Sequence, residues 1–301
     1  MNKRLIIATI AVIASVVVID FLFGKSMDWF TANSKGGDTR NVHYICNEFE
    51  DSVAIFGSSR ANHHYDSSTL TEALGMPVYN CGRDGNGILL AYCYLHNIIS
   101  KGHTPRVVIY DFFPEFDVFD NNDHQRAVNA ISPYFRGEGM KEIIDRYTPG
   151  EYPKLLLSTY RFNSRFLQIV SDAVRPQQSV IRGYKPLNGE ITTEFTDNPE
   201  PDLKVDTLKV EYFKKFVDLC RDNSIDLVFV VSPVFHSVGN TEELHQLHKQ
   251  LTGRDAYPLF DFRNNDEFTG HKELFADPAH MNHLGAEKFS RMLADSLSAR
   301  K

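Results

Sequence analysis

What most constrains the fold is a set of short apolar runs, each stopping at small or polar residues. Val53-Ala54-Ile55-Phe56 halts at Gly57-Ser58-Ser59-Arg60, and Val78-Tyr79 halts at Asn80-Cys81-Gly82. Runs over residues 106–112, 226–231 and 258–262 behave the same way, the fourth ending at Ser232-Pro233. Apolar runs this short, bounded by turn residues, read as strands at 52–56, 78–79, 106–112, 226–231 and 258–262. Helical spacing lies between them: a short helix over 65–74, an apolar one over 87–100, then Val210, Phe213, Val217 and Cys220 on one face. A last helix over 284–299 turns Phe289, Met292, Leu293 and Leu297 inward. The continuous apolar run at 106–112 suits a strand covered on both faces, as in a parallel sheet. The alternation predicts an α/β fold.

The first residues bear on location. Met1-Asn2-Lys3-Arg4 is basic, and the nineteen residues 5–23 are apolar or small except for Asp20. At about 1.5 Å per residue that length matches a hydrocarbon core of about 30 Å. The basic flank predicts a cytoplasmic N-terminus and an exported body. Residues 1–24 are therefore read as an uncleaved, single-pass signal anchor in the inner membrane, with the body on the periplasmic side. A cleaved signal peptide is the alternative, although apolar sequence runs on past Ala14-Ser15. Asp20 lies near the outer end, where a carboxylate reaches the interface. Residues 25–51, with Gly36-Gly37 and mixed charges, read as a juxtamembrane linker, which leaves 52–301 as the body.

A net charge of −7, with no stripe of Lys and Arg, argues against a nucleic-acid partner. Four cysteines (Cys46, Cys81, Cys93, Cys220) form no CxxC pair, so a zinc knuckle is not expected, and no obligatory disulfide is predicted. About ninety residues, 115–205, separate the third and fourth strands, far more than a crossover needs. Their clearest helical stretch is 154–174. Tyr134, Phe135, Arg136, Tyr147, Tyr160, Arg161, Phe162, Arg165, Arg182 and Tyr184 lie in the same insertion. It reads either as a helical subdomain with its own small core or as a cap over the sheet's C-terminal edge that helps bind a polar substrate.

Two stretches carry chemistry. The Gly57-Ser58-Ser59 turn puts a serine at the C-terminal end of a strand, where open α/β sheets bind ligands. Near the C-terminus, Asp277-Pro278-Ala279-His280 puts a carboxylate three residues before an imidazole, just ahead of the last helix. Such a carboxylate can hold one ring nitrogen while the other serves as base for a serine hydroxyl. A metal site built from His271, Asp277, His280 and His283 is the competing reading. His63 and His64 follow the serine turn and either line a pocket or pack the short helix. Asp111 ends the third strand within reach of Arg60 or Arg83.

Taken together, Gly57-Ser58-Ser59-Arg60, Asn80-Cys81-Gly82-Arg83-Asp84-Gly85 and Asp277-Pro278-Ala279-His280 resemble the blocks of the SGNH, or GDSL-type, hydrolase superfamily. The stretch from Phe56 to Tyr65 is similar to that of membrane-anchored SGNH-like proteins of Bacteroidetes. The resemblance implies a flavodoxin-like three-layer α/β/α sandwich with a central parallel sheet of about five strands. It also implies Ser59 as nucleophile, Asp277 and His280 as acid and base, and the N–H groups of Ser59 and Gly85 as an oxyanion hole. No cofactor or metal is implied. The expected activity is that of an esterase, deacetylase or O-acyltransferase on an acylated carbohydrate or small ester, with O-acylated envelope or capsular glycan fitting the location. A membrane-bound acyltransferase is a candidate partner, and His63, His64 and Arg83 are candidate substrate contacts. One block departs from the pattern: no asparagine follows the third strand, which continues Phe112-Phe113-Pro114-Glu115. Asn86 or Arg60 is the candidate replacement donor. A non-catalytic scaffold protein for glycan binding or polysaccharide assembly is the alternative function.

Overall fold

The structure is a computed structural model that describes residues 3–120, 123–175, 180–192, 204–237, 241–253 and 257–300. Five strands form one parallel sheet in the order β2-β1-β3-β4-β5. They are β1 (Val53–Phe56), β2 (Val78–Asn80), β3 (Val107–Asp111), β4 (Asp226–Val231) and β5 (Leu259–Asp261). That order is the flavodoxin-like one, so the chain reverses its direction of travel between β1 and β3. The crevice beyond their carboxyl ends is where such sheets bind ligands.

Strand side chains alternate between two cores. Ala54, Phe56, Val108, Tyr110 and Phe229 face one buried cluster, and Val53, Ile55, Ile109, Val228 and Val230 face the other. Helices α2 (Gly37–Asn47), α5 (Ile88–Ser100) and α11 (Thr207–Asp222) cover the first face. The second face is covered by α3 (Ser59–His64), α4 (Ser67–Leu74) and the last helix, His283–Ser298. Helix on sheet on helix gives the three layers that the resemblance implies.

Two expectations need correction. The expected linker 25–51 is not a linker: α1 runs unbroken over Lys3–Ala32, and α2 follows it directly. Val42, Ile45, Cys46 and Phe49 recur at helical spacing and bury in the sheet's core, which ties this stretch to the body. The expected helix over 65–74 forms as α4, which Asp66 caps by accepting from the N–H groups of Ser68 and Thr69, and the short α3 precedes it. The stretch 154–174 is broken, into a 3₁₀ turn, α9 (Ser158–Phe162) and α10 (Phe166–Val174).

Within the insertion, α6 (Pro114–Asp117), α7 (His124–Ile131) and α8 (Met140–Tyr147) precede α9. An antiparallel bridge between Phe119 and Val205 brings the two ends of the insertion together. Residues 121–122, 176–179 and 193–203 of the 115–205 insertion lie outside the described residues. Ala127, Val128, Ile131, Phe135, Ile143 and Ile144 join the core beside α5, so this part is neither a separate subdomain nor a cap over the sheet edge. Helices α9 and α10 pack instead on α1, around Met27, Phe162 and Ile169. The stretch 180–192 passes the candidate site, where Lys185, Leu187 and Gly189 offer backbone carbonyls. Helix α12 (Thr241–Thr252) lies between β4 and β5, and His283–Ser298 becomes α13. All four cysteines are buried free thiols, with desolvation holding each above its ordinary pKa.

Candidate active site

Strand β1 ends at Gly57, whose φ of +144° suits glycine and whose Cβ would lie 2.9 Å from both Ala61 Cβ and the Asp111 carbonyl oxygen. The chain turns so sharply there that Ser59 is already the first residue of α3. The two serines then part company. Ser58 Oγ is buried with no hydrogen-bond partner among the described residues, whereas Ser59 Oγ lies 2.7 Å from His280 Nε2.

Asp277 holds the other side of the ring, with its two carboxylate oxygens 3.0 and 2.9 Å from His280 Nδ1. A carboxylate there can only accept, so Nδ1 carries the proton and Nε2 is left to accept from Ser59. The Ala279 and His280 backbone N–H groups also donate to Asp277, at 2.8 and 2.9 Å. Partial burial works to raise the Asp277 carboxyl, but the bond from His280 and the Ala279 N–H outweigh it and hold the group below the usual carboxylate range. Asn282 fixes the turn: it caps α13 through the N–H groups of Leu284 and Gly285 and donates to the carbonyls of Gly189 and Glu273. His271 pairs with Glu273 instead, and no metal-holding group of His, Cys, Asp and Glu occurs among the described residues.

Beneath the site sits a polar hub whose centre, Ser232, sequence reasoning missed. Arg60 donates to the Ser232 hydroxyl and carbonyl, and His64 Nδ1 lies 2.9 Å from the same hydroxyl. His64 Nε2 accepts from the Met281 N–H at 3.1 Å, so this imidazole is neutral, with Nδ1 as its donor. Complete burial, then the nearby Arg60 charge, push His64 well below its ordinary pKa. Asp111 is fully buried and accepts from the Tyr65 hydroxyl and the Ser232 N–H, with Arg60 at 3.7 Å. His64 is thus a packing residue that steadies the backbone after His280, and Asp111 meets Arg60 rather than Arg83. The sequence offered two signs of the hub: Asp111 at a strand end within reach of Arg60, and Ser232-Pro233 at another, which resembles any other turn.

The remaining candidates divide. The His63 ring stands edge-on to His280, with centroids 5.4 Å apart, and is held by the Lys185 carbonyl and by Asp84. Partial desolvation opposes ionisation of Asp84, but His63 and Asn62 prevail and hold its carboxyl far below the usual range. Gly85 adopts φ +67° in the turn before α5, and a Cβ there would meet an Arg126 guanidinium nitrogen at 2.9 Å. Arg83 points away toward Asp38 on α2, at 3.6 Å. Both candidate replacement donors already bond within the protein. The Arg60 Nε and Nη2 are engaged by Ser232, with the guanidinium 5.0 Å over the Phe113 ring, and the Asn86 amide nitrogen bonds back to the Asp84 carbonyl.

The arrangement supplies a hydroxyl, an aligned base and an orienting carboxylate at the open end of the sheet. No protein-family model and no curated protein sequence matches the chain. Among solved structures it is similar to a protein described as lipolytic, of the G-D-S-L family, from Desulfitobacterium hafniense. The identity is 10% and the TM-score 0.40, over 81% of this chain and 98% of that one. It is similar also to an acylhydrolase from Bacteroides fragilis, at 10% identity and a TM-score of 0.39, over 87% of this chain and 97% of that one. Overlaps this loose carry no conclusion about chemistry, which has to be read from the residues themselves.

Proposed function

We propose that the chain is a membrane-anchored, SGNH-type serine hydrolase or acyltransferase acting on esters. The observation that carries this reading is the 2.7 Å approach of Ser59 Oγ to His280 Nε2, with Asp277 against the opposite nitrogen. Ser59 attacks an ester carbonyl while His280 takes its proton; the ring then returns that proton to the departing alcohol oxygen. Asp277 keeps the tautomer and stabilises the imidazolium as it forms. The N–H groups of Ser59 and Gly85 serve the tetrahedral oxyanion, so this hole has two donors rather than three. A missing donor of that kind costs on the order of a hundredfold or more in rate.

The acyl-enzyme passes its acyl group to water in a hydrolase and to a sugar hydroxyl in a transferase. Location favours an O-acylated envelope or capsular glycan as substrate and, for a transferase, a membrane-bound acyltransferase as partner. The location itself rests on α1, the one helix among the described residues long and apolar enough to cross a membrane. We place the body on the periplasmic side because the basic residues precede that helix.

The test is turnover of p-nitrophenyl acetate by the full chain in detergent. Hydrolysis that His280→Ala abolishes supports the proposal. One observation favours a second reading, a non-catalytic scaffold that binds acylated glycan: no asparagine stands near Pro114-Glu115, and both substitute donors already bond within the protein. Glycan binding that survives Ser59→Ala, with no turnover by the unaltered chain, would establish that reading instead.

A further inference from the structure

The apolar helix α1 does not leave the body at a single point. Its outer half is clasped by the insertion, and the levels at which the two touch can be read along the helix. The Asp20 carboxylate accepts from the N–H groups of Ser158 and Thr159 at 2.9 and 2.8 Å and from the Thr159 hydroxyl at 2.7 Å, capping α9. Phe23 meets Phe162 edge-on at 6.5 Å, and Ile169 packs with Met27. Farther out, Asp172 at the end of α10 accepts from the Thr39 N–H. The insertion therefore climbs away from the inner part of α1 as it proceeds from 156 to 174.

Its lowest point is the corner Leu156-Leu157. These leucines are 55% and 57% exposed, and they share with Val16, Val17, Ile19 and Asp20 a cleft of about 560 Å³. If residues 5–23 fill the hydrocarbon, the levels of Asp20 and Val16 lie about 5 and 10 Å inside its outer boundary, at about 1.5 Å per residue. Helices that lie in a membrane surface bury their apolar faces to about that depth. Little water reaches that level, so acyl chains are the medium that covers the exposed leucines. Lys25, Arg136 and Arg161 line the cleft, within reach of headgroup phosphates.

We infer that the Leu156–Leu157 corner is a second membrane contact, seated among the lipid acyl chains beside α1. The inference rests on α1 crossing the bilayer and is independent of any chemistry at Ser59. Two contacts fix the tilt of the body, which a single helix on a free tether would not do.

The four native cysteines are buried, so single cysteines introduced at exposed positions can carry an environment-sensitive fluorophore. Leu157→Cys, Leu167→Cys and Val174→Cys are made in the full chain, with Glu72→Cys on the far side of the body as a control. The labelled chains are placed in phosphatidylethanolamine–phosphatidylglycerol vesicles. Quenching by spin-labelled lipid should be strong at 157, weaker at 167 and absent at 174 and 72. Position 174 is the telling control, because Val174 is 66% exposed and as apolar as its neighbours yet lies above the boundary. A vesicle-bound chain whose label at 157 is as open to aqueous iodide as that at 174 would overturn the seat while leaving the anchor intact. A chain that fails to float with the vesicles would overturn both.

Discussion

Replacing His64 with phenylalanine tests the hub beneath the site, because the result depends on pH in a way packing alone does not reproduce. His64 is fully buried and neutral, accepting from Met281 N–H and bonded to Ser232. In His64→Phe a similar volume remains but the Met281 N–H loses its partner, which costs about 1–3 kcal/mol near neutral pH. The pH dependence has the opposite sign. The folded-state pKa of His64 is depressed, so the unfolded chain takes up the proton first as pH falls below about 6.5, and stability drains away from there. At about pH 5 a histidine held neutral in the fold has lost ~2 kcal/mol relative to neutral pH. His248, which burial lowers to about 4, adds a similar loss that levels off as pH passes through that value. The wild-type chain should lose ~4 kcal/mol from these two groups between about pH 7 and about pH 5, and His64→Phe about half of that. The variant's deficit should therefore shrink, or vanish, at the lower pH. Urea unfolding in detergent micelles, followed by circular dichroism at both pH values, gives the four free energies required. A deficit that is the same at both would mean that His64 titrates alike in the folded and unfolded chain, and the hub as described would be wrong.

Other perturbations reach neighbouring groups. Asp277→Asn keeps the shape but offers His280 a group that no longer fixes its tautomer, so esterase turnover should fall by about 10³–10⁴ with little change in melting temperature. Arg60→Met leaves the buried Asp111 carboxylate without its nearest cation and the Ser232 carbonyl without the bond from Arg60. It should destabilise the chain by about 3–5 kcal/mol in chemical unfolding. A loss below about 1 kcal/mol would remove Arg60 from the structural role assigned to it.

The sheet was legible in the sequence because its strands are apolar on both faces. Val53 to Phe56 and Asp226 to Val231 stand out against any background, and their ends were placed within a residue. Chain order does not say which strands are neighbours; that follows from which faces the helices cover. Residues 25–51 were misread because Gly36-Gly37 and mixed charges outweighed a weaker signal, the apolar spacing of Val42, Ile45, Cys46 and Phe49. The stretch 154–174 looked continuous because its apolar residues keep helical spacing, whereas a local turn at 163–165 breaks it. At the site, Ser59, Asp277 and His280 were legible as residue types at suggestive spacing, but composition could not choose between Ser58 and Ser59. The sharp turn at Gly57 does so by burying one hydroxyl and facing the other to His280. The hub of Arg60, His64, Asp111 and Ser232 joins three strand ends far apart in the chain, and no local pattern announces it.

The most direct test of the central claim is covalent labelling of the full chain by a fluorophosphonate, read by intact mass and peptide mapping. The account predicts a single adduct on Ser59 in the unaltered chain and in Ser58→Ala, and none in Ser59→Ala. An unaltered chain that stays unlabelled, or an adduct that persists in Ser59→Ala, would contradict it.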